Sequence, residues 1–153
     1  MRFLELKIPP AVIGVVLGAA MAATSHFTPA FGFAVPAGRF IAAGLAVAGV
    51  GIAILGVVSF RRAGTTVNPL QPAAASQLVV SGIYRWTRNP MYLGMLLVLL
   101  GWGVFLGNVL AFIPAAAFIP LINRLQIGPE ERILAATFGP AFTAYQSAVR
   151  RWL

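Results

Sequence analysis

Long apolar stretches alternate with short polar segments along this chain. The cleanest apolar stretch runs from Phe40 to Phe60, 21 consecutive residues without a charge, between Arg39 and Arg61. At ~1.5 Å per residue, such a helix is about 30 Å long, which matches the hydrocarbon layer of a bilayer. A second stretch, from Ile8 to about Ala23, is also apolar and opens with two prolines. The pattern therefore predicts two transmembrane helices within residues 1–62. The second offers small residues for close helix packing: Gly44, Ala48, Gly51 and Gly56.

The second half of the chain contains an even longer uncharged stretch. Residues 91–122 carry no charge over 32 positions, which is too long for one crossing and short for two full ones. Gly107-Asn108 is typical of a turn, and Pro114 and Pro120 would shorten or kink the arm that follows it. We therefore expect a tight helical hairpin here.

The C-terminal segment is amphipathic. Pro129 suits the start of a helix and Gly139-Pro140 suits its interruption, with Phe142, Tyr145 and Val149 on one face. We expect this segment to lie on or just under the membrane surface. The predicted fold is an all-α polytopic membrane protein. It has about four transmembrane helices (two N-terminal spans, then the hairpin) and a C-terminal amphipathic helical segment, all in one unit of residues 1–153.

Composition supports the membrane prediction and excludes several chemistries. Of the 153 residues, 59% are hydrophobic and 9% are charged, whereas soluble domains carry about 25% charged residues. The chain has no cysteine, no aspartate and one histidine, His26. Disulfides, cysteine nucleophiles, histidine-based metal clusters and a Ser-His-Asp triad are therefore excluded, and no metal is expected. The net charge of +8 indicates membrane orientation and contact with anionic lipid, and we expect no nucleic-acid partner.

The cations predict the orientation of the chain. With four crossings and a cytoplasmic N-terminus, all basic residues except Arg39 lie on the cytoplasmic side. These are Arg2, Lys7, Arg61, Arg62, Arg85, Arg88, Arg124, Arg132, Arg150 and Arg151. Both termini are then cytoplasmic, and in a bacterium the membrane is the inner one. A cleavable signal peptide ending near Ala20-Met21-Ala22 is an alternative interpretation of the first apolar stretch.

Residues 81–94 combine cations, aromatic side chains, a turn and a proline at the mouth of the hairpin. The segment reads Ser-Gly-Ile-Tyr-Arg-Trp-Thr-Arg-Asn-Pro-Met-Tyr-Leu-Gly. Such residues at the end of a transmembrane helix are also typical of an ordinary interfacial belt. Their order favours a binding site for a polar group at headgroup depth.

Two motifs, joined by the predicted hairpin, resemble those of the isoprenylcysteine carboxyl methyltransferase and phospholipid methyltransferase superfamily of membrane enzymes. The first motif comprises Gly82-Ile83-Tyr84 and Arg88-Asn89-Pro90-Met91-Tyr92-Leu93-Gly94. The second comprises Glu130-Glu131-Arg132-Ile133-Leu134 and the segment from Phe138-Gly139 to Tyr145. The resemblance covers about the C-terminal half of the chain. It implies an S-adenosylmethionine-dependent methyltransferase whose cofactor-binding half is residues 76–153.

The resemblance also implies roles for individual residues. Cofactor-binding roles fall on Gln77, Leu78, Val79, Tyr84, Asn89, Pro90, Tyr92 and Glu130. Catalytic roles are expected of Glu131, Arg124 and Arg88. Because the glutamates lie at the membrane edge, they require partners, and Arg85, Arg88, Arg124 and Arg132 are the candidates. A purely structural alternative is that the glutamates cap the last helix and balance Arg132.

Two positions depart from the family pattern. Asn89 replaces the usual histidine, so it can donate a hydrogen bond but cannot titrate near neutral pH. Gln126 stands about where the family has an arginine for the acceptor, and the nearest cation is Arg124. A carboxylate acceptor would need only alignment, whereas an amine must lose a proton, for which Glu131 or Tyr92 are the candidate bases. The hairpin implies a lipophilic acceptor that enters sideways from the bilayer.

Three alternatives remain open from the sequence. A nicotinamide-dependent reductase of the same broad superfamily would require more arginines for the cofactor phosphates, and the Glu-Glu pair argues mildly against it. A small transporter of lipophilic cations would require an acid within a span, and no predicted span contains one. A non-enzymatic structural subunit would need only the interfacial belt.

Overall fold

The computed structural model describes residues 4–65 and 76–153, and these contain no β-strand. The six α-helices are α1 (Pro10–Phe27), α2 (Gly38–Arg62), α3 (Pro90–Leu106), α4 (Phe112–Ile122), α5 (Gly128–Phe138) and α6 (Pro140–Ala148). Short 3-10 turns form at Pro29–Phe31, Gly82–Arg85 and Val109–Ala111, and a π-helical segment spans Asn123–Ile127. The predicted all-α class is confirmed.

Within the part of the chain that the structure describes, three helical stretches are long and apolar enough to cross a membrane. They are α1, α2 and the continuous stretch Val109–Phe138, which comprises the 3-10 turn Val109–Ala111, α4, the π-helical segment and α5. The fourth apolar helix, α3, is shorter, at 17 residues. The protein is therefore a polytopic integral membrane protein, as its hydropathy pattern predicts.

The hairpin turns where the sequence predicts it. Gly107 adopts a left-handed conformation with φ of 58° and ends α3, a position that favours glycine. The next residue, Asn108, is buried. Its Oδ1 accepts a hydrogen bond from the Leu110 amide at 2.9 Å, and its Nδ2 donates to the Thr28 carbonyl at 2.7 Å. The turn is thereby fixed to the end of α1.

Close contact between α2 and α3 depends on glycine. A Cβ atom on Gly49 would lie 2.5 Å from the Gly94 carbonyl oxygen, and one on Gly101 would lie 2.8 Å from the Ala42 carbonyl oxygen. The two backbones therefore approach as they do at small-residue interfaces of membrane helices. Gly56 also packs against α3, but Gly44 and Gly51 face open space. The prediction of close packing is therefore confirmed for Gly56 and wrong for Gly44 and Gly51.

The return arm of the hairpin is longer than the sequence predicts. We expected a new helix to start at Pro129, but the helix continues through this proline from the π-helical segment into α5. Proline cannot donate a hydrogen bond to the carbonyl four residues earlier, which here belongs to Leu125. The Leu6 amide donates to that carbonyl instead, at 3.0 Å. A contact from the distant N-terminal segment thus satisfies the carbonyl that Pro129 leaves unpaired.

The chain after α5 folds back toward residues 78–90. Gly139, with φ of 52°, separates α5 from α6, and Pro140 begins α6, so the predicted interruption is confirmed. Phe142 and Tyr145 on α6 are buried against Val79 and Tyr84. This packing brings the two sequence motifs together at one end of the helical bundle.

Candidate functional site

The start of α3 positions the first motif. Pro90 occupies the first turn of α3, where its missing amide hydrogen costs nothing. Gly82, with φ of +63°, lets the preceding turn approach α2: a Cβ atom there would lie 2.9 Å from Ser59 Oγ. Thr87 is 1% exposed and accepts a hydrogen bond from the Asn89 amide at 3.2 Å. The motif is therefore a turn packed on the end of α2.

Tyr92 and Glu130 meet across the hairpin. The Tyr92 hydroxyl, on a buried side chain of α3, donates a hydrogen bond to the partly buried Glu130 carboxylate on α5. Within residues 4–65 and 76–153, Glu130 forms no ion pair. A partly buried carboxylate bound to a neutral hydroxyl keeps capacity for a further donor, and a cation is the most favourable one.

Glu131, the next residue, has a different environment. Its Oε1 accepts a hydrogen bond from Arg88 Nη2 at 2.8 Å, and its Oε2 accepts one from Arg151 Nη2 at 2.5 Å. Because both arginines pair with its negative charge, they offset the free-energy cost of partly burying the carboxylate. Glu131 thus joins the first motif, α5 and the C-terminal residues.

Arg88 is also a cap for α6. Its Nη1 donates to the carbonyls of Gln146 and Val149, both at 2.8 Å, at the C-terminal end of that helix. A cation at this position satisfies free carbonyls and opposes the negative end of the helix dipole. The Arg88 side chain is 12% exposed, so these bonds are largely shielded from water.

Asn89 holds the C-terminal residues through its side chain. Its Nδ2 donates to the Arg151 carbonyl at 2.9 Å, and Thr87 Oγ1 donates to the same oxygen at 3.3 Å. The Arg88 amide donates to the Arg150 carbonyl at 3.0 Å. In this structure Asn89 therefore acts as a hydrogen-bond donor to protein backbone.

An aromatic cluster packs beside the first motif. Tyr145 donates from its hydroxyl to the Tyr84 carbonyl at 2.7 Å, and the rings of Phe60 and Tyr84 meet edge to face at 5.3 Å. Burial raises the pKa of Tyr84, and the nearby Tyr145 hydroxyl and Glu130 carboxylate raise it further. Burial also raises the pKa of Tyr145. Both hydroxyls are therefore neutral at physiological pH, and Tyr84 lies within electrostatic range of the Glu130 carboxylate.

The structure separates the predicted site residues into two groups. Those near one another at the start of α3 and on α5 are Tyr84, Arg88, Asn89, Pro90, Tyr92, Glu130 and Glu131. Val79 is buried in the aromatic cluster and Leu78 packs against it, whereas Gln77 is exposed. Arg124 is exposed on the π-helical segment and makes no ion pair or side-chain hydrogen bond with the described part of the chain.

Sequence reasoning missed two residues of this region. The sequence indicates Arg151 only as a cation that sets topology, yet its side chain binds Glu131 and its carbonyl accepts hydrogen bonds from two side chains. The sequence indicates Gln126 only as a departure from the family pattern, yet it is fully buried. A polar residue between the apolar Leu125 and Ile127 is the signal that the sequence offers for Gln126. No spacing rule indicates the contacts of Arg151.

An apolar groove lies along the other side of α3. It has a volume of about 1320 Å³, with α1 and α2 as walls and α3 as floor. Met91 and Met95, which flank Tyr92 in sequence, line its end near Arg61, and Arg39 lies at the opposite end. The groove is open to the surrounding hydrocarbon and nearly free of polar atoms, so it suits an alkyl chain.

Comparison with known proteins identifies a family for these motifs. A sequence profile described as phospholipid methyltransferase matches residues 38–141, which span α2 to the start of α6. An uncharacterized protein of Haemophilus influenzae is 48% identical over 63 residues, which is 41% of this chain and 100% of that protein. No solved structure matches the chain significantly.

Proposed function

The chain belongs to the phospholipid methyltransferase family and is a membrane methyltransferase for lipid-like substrates, and we propose that S-adenosylmethionine is its methyl donor. The observation that carries this proposal is the Tyr92–Glu130 hydrogen bond. It brings the two motifs into contact from opposite arms of the hairpin, as a shared cofactor site requires.

The residues present fit this cofactor. Glu130 is partly buried and has no ion pair among the described residues, so it suits the cofactor's ammonium group. Tyr84 and Val79 supply an apolar and aromatic wall suited to adenine. When bound, S-adenosylmethionine supplies a sulfonium methyl group that is already electrophilic. The protein then has to align donor and acceptor and exclude water.

We assign Glu131 and Arg88 a positioning role in this reaction. Both oxygens of Glu131 are engaged by arginines, and Arg88 additionally caps α6. These bonds hold the aromatic cluster and the C-terminal residues against the start of α3. They thereby keep Tyr92 and Glu130 in position across the hairpin. Arg124, being exposed at the same end of the bundle, suits an electrostatic contact with an anionic headgroup.

The acceptor is a lipophilic molecule that enters from the bilayer. The groove over α3 supports this proposal, because Met91 and Met95 line its end beside Tyr92. An alkyl chain in the groove would place the polar head of the same molecule near the start of α3.

We place this end of the bundle on the cytoplasmic side, with both termini there and, in a bacterium, in the inner membrane. Arg39 apart, the cations in the described residues lie at the site end of the helices or in the segments beyond it, and Arg124 and Arg132 lie in the second half of the helix Val109–Phe138. The positive-inside rule gives that end to the cytoplasm.

Methyl transfer to membrane lipid tests the proposal. Purified protein is incubated with radiolabelled S-adenosylmethionine and extracted bacterial lipids, and the labelled product is identified by mass spectrometry. We expect label in the organic phase. No transfer, combined with lipid-dependent oxidation of a reduced nicotinamide cofactor, would instead establish the reductase alternative.

A further inference from the structure

The side-chain oxygen of Gln126 is buried without a hydrogen-bond donor. Gln126 is 0% exposed, and its Nε2 donates to the Ile8 carbonyl at 2.6 Å. Because a carbonyl can only accept, this bond fixes which end of the amide is nitrogen. The Oε1 atom then remains in a buried position with no partner. Since an unpaired buried acceptor destabilises a fold, this oxygen calls for a donor from outside the described residues.

Gln126 lies in the π-helical segment Asn123–Ile127, about one turn before Glu130. π-helical turns are rare and occur frequently at functional sites. Residues one turn apart lie on neighbouring parts of a helix surface. The Gln126 amide nitrogen bonds to Ile8, two residues before α1, and Glu130 bonds to the start of α3. Both side chains therefore lie on the part of this helix that faces the starts of α1 and α3.

An amide oxygen beside a carboxylate selects a particular chemical group. A ligand phosphate or carboxylate would meet only acceptors and like charge there. A protonated amine offers several N–H donors and the opposite charge, so it can satisfy both side chains at once.

We propose that Gln126 Oε1 accepts a hydrogen bond from the ammonium group of a bound ligand, while Glu130 supplies the compensating charge. The inference rests on the proposed function, since the reaction offers two sources of such a group. One is the amino-acid part of the methyl donor, and the other is an amine headgroup of the lipid acceptor.

Three variants isolate this oxygen. Gln126→Met preserves side-chain length and removes both amide groups. Gln126→Glu keeps an oxygen at the position and serves as the conservative replacement. Arg132→Gln removes the exposed ion pair with Glu5, which also ties the N-terminal segment to this helix through side chains. It is the matched control for loosening of that segment.

Calorimetry and thermal unfolding distinguish the two sources. The first arm titrates S-adenosylhomocysteine and 5′-methylthioadenosine, which lacks the amino-acid group. If the donor supplies the ammonium, Gln126→Met lowers the affinity for S-adenosylhomocysteine about tenfold and leaves the affinity for 5′-methylthioadenosine unchanged.

The second arm compares thermal stabilisation by phosphatidylethanolamine and phosphatidylglycerol in mixed micelles. If the acceptor supplies the ammonium, Gln126→Met removes the preference for phosphatidylethanolamine and leaves the first arm unchanged. Gln126→Glu retains the amine preference in either case.

A purely structural glutamine gives another result. Gln126→Met would then lower the unfolding temperature as Arg132→Gln does, with no change of ammonium preference in either arm, and the inference would be wrong. Failure of the proposed function is distinguishable, because the unaltered protein would then bind no S-adenosylhomocysteine. In that event the lipid arm alone decides the inference, and equal stabilisation by both lipids overturns it.

Discussion

Glu130 and Glu131 are adjacent on α5, yet their surroundings differ completely. Glu130 contacts the neutral Tyr92 hydroxyl and has no ion pair in the described parts of the chain. Glu131 is held on both oxygens by Arg88 and Arg151. Successive helix residues point about 100° apart, since a turn has ~3.6 residues, so the pair faces two different elements. One carboxylate remains available for a ligand, and the other joins segments of the fold.

We therefore propose that Glu130 serves ligand binding and Glu131 serves the architecture of the fold, although both belong to one motif. A motif of two identical residues suggests a shared role, but each side chain takes its role from what it faces. Replacement of each glutamate by its neutral isostere, with activity compared with stability, therefore tests the two roles separately.

Loss of the Glu130 charge has the largest expected effect. Glu130→Gln preserves a hydrogen-bond acceptor for Tyr92 but removes the negative charge available to the cofactor. We expect methyl transfer to fall by about 100-fold or more, as for a lost charge-assisted contact in a shielded site. The unfolding temperature should stay close to that of the unaltered protein. The measurement is methyl-transfer kinetics beside a thermal melt, and full activity in the variant would contradict the assignment.

Loss of the Glu131 charge should chiefly affect stability. Glu131→Gln leaves Arg88, which is 12% exposed, and Arg151 without their shared partner. We expect a loss of about 2 kcal/mol in unfolding free energy, below the range for a fully buried pair because the site is partly hydrated. Denaturation of the purified protein in mixed micelles measures it. An unchanged melt together with abolished chemistry would show that Glu131 reacts directly.

Removal of the Tyr92 hydroxyl, on the other arm of the hairpin, tests whether this group orients the Glu130 carboxylate. Tyr92→Phe keeps the packing of the ring and frees the Glu130 oxygen that the hydroxyl occupies. We expect about a tenfold loss of cofactor affinity, because the carboxylate is no longer oriented. Equilibrium binding of S-adenosylhomocysteine provides the readout. Tyr145→Phe, which removes a hydroxyl bonded to the Tyr84 carbonyl, is the control and should lower stability more than affinity.

Alkaline pH should produce the smallest effect. Burial raises the pKa of Tyr84 in the folded protein above its ordinary value of about 10. The unfolded state therefore ionises first, so this contribution to stability is complete below about pH 10 and is lost as pH rises above it. Stability measured from pH 8 to pH 11 should fall less steeply in Tyr84→Phe. Identical slopes would show that this hydroxyl is exposed in solution.

Local rules predicted the parts of the fold that depend on local chemistry. Uncharged lengths indicated the spans, and Gly107 and Gly139 marked the turns because both adopt positive φ. The proximity of Tyr92 and Glu130 was predicted from motif order, since a hairpin returns the chain to the side where it began.

Contacts that depend on distant segments escaped prediction. Pro129 indicates a helix start by local rules, but the Leu6 amide satisfies the carbonyl of Leu125 and the helix continues. Arg151 joins the site because the chain after α6 runs back across Thr87 and Asn89. Such contacts depend on the path of the whole chain, which no residue spacing encodes. Part of the predicted cofactor segment borders residues 66–75, which lie outside the described residues.

Calorimetric titration of S-adenosylhomocysteine into the unaltered protein, Glu130→Gln and Glu131→Gln tests the central claim most directly. We predict binding in the unaltered protein, its loss in Glu130→Gln, and retention in folded Glu131→Gln. Equal affinity in all three proteins would contradict a methyl-donor site at the Tyr92–Glu130 contact.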